Sequence, residues 1–261
     1  AVFINLCGLG LAICAVCLEM SWMSRLLLGA VGIVLAVSSF ATGTVLLPVM
    51  VLGLVIREQI SGRILLIGLW TMLLVFLMFR LHYFSAGVGE GEFHLTGILH
   101  YALNYLGGGA VRFATVLSIP VFLFATALLL IALKRLYRES RNAAALWAMI
   151  ALFSCGAALL TAYGRYDTYG ASQAWVIRYG SFASLYWFAV LGAMWSLQER
   201  NRLIRNGFKV LVALFIFNSL HFVPQTYDFH MDARVLEKTV LDDWPEVSPE
   251  VLSTLYPTDP T

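Results

Sequence analysis

The amino-acid sequence predicts an all-α protein: a polytopic transmembrane bundle of about eight spans, with one interfacial helix and a short polar non-cytoplasmic tail. Composition is the first reason. With 60% hydrophobic residues, only 12% charged residues and a mean hydropathy of +0.82, a chain of 261 residues is excluded from the ordinary soluble folds. The second reason is the texture of the apolar runs. SIPVFLFATALLLIAL, 118–133, is apolar on every face, whereas the strands of a membrane barrel alternate apolar and polar. The third is the segregation of charge between alternate loops.

The spans follow from runs that approach the roughly 20 residues needed to cross about 30 Å of hydrocarbon. They are 3–19, 24–39, 42–56, 64–79, 114–133, 143–163, 181–197 and 208–222. The second and third are short, and a single bent span over 23–56 competes with them. Arg25 and Arg57 decide for two spans, because both read as cytoplasmic flanks, so the chain goes out and returns through a tight turn at 38–43. Such a hairpin is expected to stop short of the outer surface.

With that hairpin the basic loops fall on one side. Arg57 and Arg63, then Lys134, Arg135, Arg138 and Arg141, then Arg200, Arg202, Arg205 and Lys209 mark the cytoplasmic face. The other face receives Glu90, Glu92, Asp167 and a tail carrying Asp228, Asp232, Glu237, Asp242, Asp243, Glu246 and Glu250. The expected organisation is a membrane domain over 1–222, with outside loops 80–112 and 164–180, followed by a polar tail over 223–261. Four prolines in the tail, Pro224, Pro245, Pro249 and Pro257, exclude long helices there. Within the first outside loop, FHLTGILHYALNYL (93–106) has helical spacing and is expected to end at Gly107-Gly108-Gly109, as an interfacial or re-entrant helix. Ala1 follows no methionine and no signal-type segment, so the chain is expected to be part of a longer polypeptide.

Cys7, Cys14, Cys17 and Cys155 all lie in apolar runs and read as small buried hydrophobes. Nucleic acid is not an expected partner; the lipid bilayer is. No nucleophile elbow, phosphate-binding loop, dinucleotide fingerprint, zinc-protease or haem-attachment motif occurs. No file of charged residues threads the spans, which counts against a proton-coupled transporter.

The richest segment is GRYDTYGASQAWVIRYG, 164–180. Arg165 and Arg178 are the expected substrate contacts, two guanidiniums able to clamp a phosphate or diphosphate by paired hydrogen bonds. Gln173, Trp175 and Tyr179 join them as binding candidates, and Asp167 is a candidate catalytic acid. Two plainer readings stand beside this one: the tyrosines and Trp175 suit an interfacial aromatic belt, and an Arg165–Asp167 pair would simply order the loop. Glu90 and Glu92, with His94 in GEGEFH, are the other catalytic candidates. Their alternation could also hold a divalent cation, although no metal site is assigned, and His82, His100, His221 and His230 read as scattered interfacial histidines.

SSFATGTVLLPVMVLGLVI (38–56) resembles a hairpin of small polar turn, glycine, apolar stretch, proline and basic loop found in bacterial inner-membrane proteins of the GT-C glycosyltransferase-like class. TAYGRYDTYGASQAWVIRYGSFASLYWF (161–188) is similar to a second pattern of that class, through Gly164, Arg165, Gly170, Gln173, Ala174, Arg178 and Tyr179, and VLSTLYP (251–257) to the step after its last span. The chain departs from the pattern at Gly180 and Thr44. The resemblance implies a protein acting on a polyprenyl-phosphate-linked sugar at the non-cytoplasmic face of the inner membrane, in cell-envelope glycan assembly. It also implies a catalytic carboxylate in a first outside loop, a region this chain does not contain. The competing expectations are a non-catalytic subunit that docks other membrane subunits and a lipid or polysaccharide transporter.

Overall fold

The computed structural model describes residues 2–39, 41–58, 94–111, 114–170, 174 and 180–221. Every regular element among them is helical. In chain order these are α1 (Val2–Cys17), α2 (Trp22–Ser39), a 3-10 turn (Ala41–Val45) that runs into α3 (Leu46–Glu58), α4 (Leu95–Val111), a second 3-10 turn (Thr115–Leu117) that runs into α5 (Ser118–Glu139), α6 (Arg141–Tyr169), α7 (Gly180–Trp195) and α8 (Arg202–His221). Among the described residues, α5, α6 and α8 are long and apolar enough to cross a membrane, and α1, α2 and α7 are apolar but shorter. The helical class is as the sequence predicts, and the expectation of eight spans meets three helices of spanning length. The expected span at 64–79 and the tail at 223–261 lie outside the described residues.

The chain divides into two compact units, Ala1–Val212 and Ala213–Thr261. The described part of the second is the continuation of α8, in which the rings of Phe217 and His221 stack with centroids 6.3 Å apart.

Within the first unit α6 is the central helix and packs against α1, α3, α4, α5 and α7. Its sequence explains this. Ala144, Ala145, Ala148, Ala151, Ala157, Ala158 and Ala162 are all buried, and small side chains let neighbouring backbones approach closely where no water is squeezed out to drive association. Larger groups then fill the seams: Phe153 meets Phe182 of α7 edge-on at 6.1 Å, and Trp147 meets Phe188 at 5.6 Å. α1 also packs tightly on α2, where a Cβ on Gly8 would stand 2.5 Å from the carbonyl oxygen of Gly32.

The charged ends gather at one end of the bundle. Arg25, at the start of α2, is buried and paired with Glu58 at the end of α3, and its guanidinium also lies over the Trp22 ring at 5.9 Å. Arg57 donates to the carbonyls of Val16 and Leu18, the latter at 3.0 Å, and so caps the C-terminus of α1. Cys17 Sγ, 3.7 Å from the carbonyl of Asn142, ties this group to the start of α6, and Arg200 pairs with Glu139 at 2.5 Å where α5 ends. Arg25 and Arg57 therefore share one end, as the hairpin reading of 24–56 requires. Val45 packs on Gly156. Gly156 is about 13 Å short of Arg165 along α6, and Ala41 is no more than about 8 Å beyond Val45, so the hairpin ends below Arg165.

Three boundaries differ from expectation, each for a local reason. The glycines 107–109 do not stop α4, which runs on to Val111, because close contact requires them: a Cβ on Gly107 would strike the carbonyl of Ser118, and one on Gly109 would lie 2.7 Å from the Trp187 ring. α6 continues past Tyr163 to Tyr169 and ends where Gly170 takes φ 71°, its N–H bonded to the Tyr166 carbonyl at 2.8 Å. α8 begins at Arg202, six residues before the apolar run, because Asn201 Oδ1 accepts the Leu203 N–H at 2.9 Å and caps it.

Candidate functional site

The end of the bundle away from the basic loops is closed by α4. A Cβ on Gly97, in its first turn, would run into the Tyr166 ring near the end of α6. Its second half lies against the starts of α5 and α7. There the Trp187 indole N–H donates to the Leu106 carbonyl at 2.7 Å, and Tyr101, Tyr105, Ala110 and Val111 are buried. An interfacial or re-entrant helix was expected over 93–106, and α4 is a packed helix at that end.

Arg165 stands on the last two turns of α6, half-buried, beside Tyr166. The segment beginning at Gly164 was expected as a loop, but Arg165, Tyr166 and Asp167 belong to the helix, and Tyr166 packs on Gly97 of α4. The distribution of cations sets Arg165 apart. Among the described residues, Arg25, Arg57, Lys134, Arg135, Arg138, Arg141, Arg200, Arg202, Arg205 and Lys209 belong to the basic end or the turns next to it, and Arg165 alone to the other. Counting the rise of α6 from Arg141, the two arginines on that helix are about 36 Å apart, slightly more than the hydrocarbon thickness of a bilayer.

Of the remaining sequence-predicted site residues, Asp167 is carried on the last turn of α6, and its side chain lies outside the described residues. Glu90, Glu92, Gln173, Trp175, Arg178 and Tyr179 also lie outside them, so the Arg165–Arg178 clamp and the Glu90–Glu92 cation site belong to undescribed segments. Among the described residues, no group of three or more His, Cys, Asp or Glu gathers to hold a metal.

The structure brings together three residues that sequence reasoning did not connect, Ser118, Asn104 and His100, the last read there as an interfacial histidine. Ser118, fully buried at the start of α5, donates its hydroxyl to Asn104 Oδ1 at 2.6 Å. The Nδ2 of Asn104 then lies 3.3 Å from His100 Nε2 and 3.4 Å from Nδ1, and His100 is exposed. The chain Ser118–Asn104–His100 leads from the interior to the surface of the end that also carries Arg165. The sequence held one cue, the four-residue spacing of His100 and Asn104 in a helical segment, but nothing marked Ser118 as their partner. Two other buried polar contacts hold helices together: Thr126 Oγ1 with Tyr186 Oη at 2.6 Å, and Asn5 Nδ2 donating to Thr42 Oγ1 at 3.1 Å.

Compared with known proteins, the chain matches no family model, no curated protein and no solved structure.

Proposed function

We propose that this chain is an integral protein of the bacterial inner membrane, glycosyltransferase-like, that handles a polyprenyl-phosphate-linked sugar at the non-cytoplasmic face. The observation that carries the reading is Arg165, a guanidinium near the end of α6 that lies remote from the other described Lys and Arg. A guanidinium placed against the rule that keeps Lys and Arg on the cytoplasmic side is suited to binding an anion there, and a lipid-borne phosphate is one it can clamp by paired hydrogen bonds. The outward faces support the membrane setting. Leu26, Leu27, Val31 and Val34 on α2, and Leu123, Phe124, Leu130 and Ile131 on α5, are exposed in rows longer than a soluble monomer tolerates.

In this reading the transfer is inverting. The acceptor hydroxyl loses its proton to a carboxylate, for which Asp167 is the candidate on α6, as its oxygen attacks the anomeric carbon. The bond to the phosphate oxygen breaks with its electron pair, and Arg165 and Arg178 stabilise the departing phosphate. The test is transfer from a panel of radiolabelled polyprenyl-phosphate sugars by the full-length protein in proteoliposomes. Arg165→Ala is expected to lower transfer by about 100-fold or more, the usual cost of one donor aimed at developing charge, with the membrane level of the protein unchanged. Arg165→Lys is expected to recover little, because a point charge does not reproduce the paired geometry. Full transfer by the Lys variant would remove the phosphate clamp.

A further inference from the structure

We propose that a groove between α5 and α8, at the basic end of the bundle, binds an anionic phospholipid, its phosphate on Arg135, Arg138 and Arg202 and its acyl chain along Ile131, Leu203 and Val210; this rests on the membrane setting of the chain and not on Arg165. Two contacts fix how the helices run. A Cβ on Gly207 would stand 2.6 Å from Leu128 Cδ1, and Arg200 pairs with Glu139, so the last turns of α5 lie antiparallel to the first turns of α8. Burial then divides the seam. Ala132 and Leu136 of α5 and Ile204 and Leu211 of α8 are buried on one side of it. Ile131, Arg135 and Arg138 follow Leu128 by three, seven and ten residues, which sets them in one row on the other side. Leu203 and Val210, four residues before Gly207 and three after it, form the facing row, with Arg202 at its edge. All six residues are exposed.

The levels along the groove suit a lipid. Counted by helical rise from the Leu128–Gly207 contact, Arg135 is about 10 Å and Arg202 about 8 Å toward the basic end, so the two guanidiniums face each other at one height. Arg138 is one turn further out, and Ile131 and Val210 lie deeper. Among the described residues, Arg135, Arg138 and Arg202 form no ion pair; the acids of these two segments are Glu139, held by Arg200, and Glu199. Uncompensated positive charge at the mouth of an apolar groove is complementary to a molecule that is anionic at one end and apolar at the other. A free anion would leave the apolar rows uncovered, and a zwitterionic lipid would leave the charge unmatched. Two further cations stand apart from the groove: Arg141 lies over the Tyr137 ring at 5.6 Å, on the far side of α5, and Arg205 projects from the face of α8 opposite Gly207.

The experiment titrates the full chain in a neutral detergent with dioleoyl phosphatidylglycerol, dioleoyl phosphatidylcholine and glycerol 1-phosphate, and reads bound ligand by native mass spectrometry. Phosphatidylglycerol is expected to bind more tightly than the other two. Arg135→Gln, Arg138→Gln and Arg202→Gln should each weaken it about fivefold, the scale of one cation at an anionic lipid, and Arg135→Gln with Arg202→Gln about 25-fold, with the lipid-free thermal midpoint unchanged. Arg141→Gln with Arg205→Gln removes the same charge from the same two segments and should change it less than twofold. Equal loss in the two double variants would mean that the basic end attracts lipid only through its summed charge, and overturns the groove. Loss in neither overturns it as well. Glycerol 1-phosphate or phosphatidylcholine binding as tightly as phosphatidylglycerol removes the anionic lipid as the occupant.

Discussion

Two glycines in α1 two residues apart should respond differently to the same substitution, one gaining stability and the other not. Gly10 has nothing within 4 Å of where a Cβ would be, whereas a Cβ on Gly8 would stand 2.5 Å from the Gly32 carbonyl oxygen and 2.9 Å from Ala36 Cβ. Neither neighbour of Gly8 is the end of a flexible side chain, so the strain is relieved only by moving α1 away from α2. Ordinary contact begins near 3.4 Å, so the helices must part by about 0.9 Å, enough to disturb packing along the whole seam. Replacing a helical glycine by alanine otherwise stabilises by about 1 kcal/mol, and overpacking of this kind costs about 1–3 kcal/mol. Gly10→Ala should therefore gain about 1 kcal/mol, while Gly8→Ala should come out between neutral and about 2 kcal/mol less stable than the parent. The measurement is equilibrium unfolding of both variants and the parent in one detergent under one set of conditions, so that the difference between the two variants, about 1–3 kcal/mol, reads the overpacking alone. Equal stability of Gly8→Ala and Gly10→Ala would show that α1 and α2 do not cross at Gly8.

Removal of Glu58 leaves the buried Arg25 without its carboxylate and should destabilise more than the joint replacement Arg25→Met with Glu58→Leu; a double-mutant cycle should return a coupling of about 1–3 kcal/mol, and a value near zero would dissolve the ion pair as a link between α2 and α3. Trp187→Phe removes the indole donor to Leu106 and should speed amide exchange in α4 while leaving α1 and α2 unchanged; uniform exchange across both would mean that Trp187 does not hold α4 in place. For orientation, single cysteines at 138 and 167 in a background without native cysteines should label with an impermeant reagent only at 167 in intact cells, and the reverse pattern would invert the side assigned to Arg165.

The helical class and the shared end of the basic residues were legible because both rest on composition and on charges whose cost at a lipid interface is large and local. Arg25 and Arg57 illustrate this: the sequence asked for them at one end, and they meet there through Glu58 and the α1 carbonyls. Boundaries were less legible because they are decided by contacts between distant segments. Three successive glycines ordinarily end a helix, yet α4 passes through them because Ser118 and Trp187 require a surface without side chains there. No local rule contains that information, since Ser118 lies 11 positions from Gly107 and Trp187 lies 78 from Gly109.

The same distinction explains what was legible of the site. Arg165 announced itself because a charge beside apolar segments is expensive wherever it falls, so its chemistry could be suspected before its geometry was known. The grouping of His100 with Asn104 and Ser118 did not, because an exposed histidine on a helix costs nothing and the polar pair behind it is assembled from two helices. Asn104 and Ser118 are buried, and a buried amide and hydroxyl must find partners; Ser118 donates to Asn104, whose amide nitrogen lies near the His100 ring. Hydrogen bonding to each other removes most of the cost of burying the two groups, and it ties α4 to the start of α5 through a contact that neither helix reveals when its sequence is read alone.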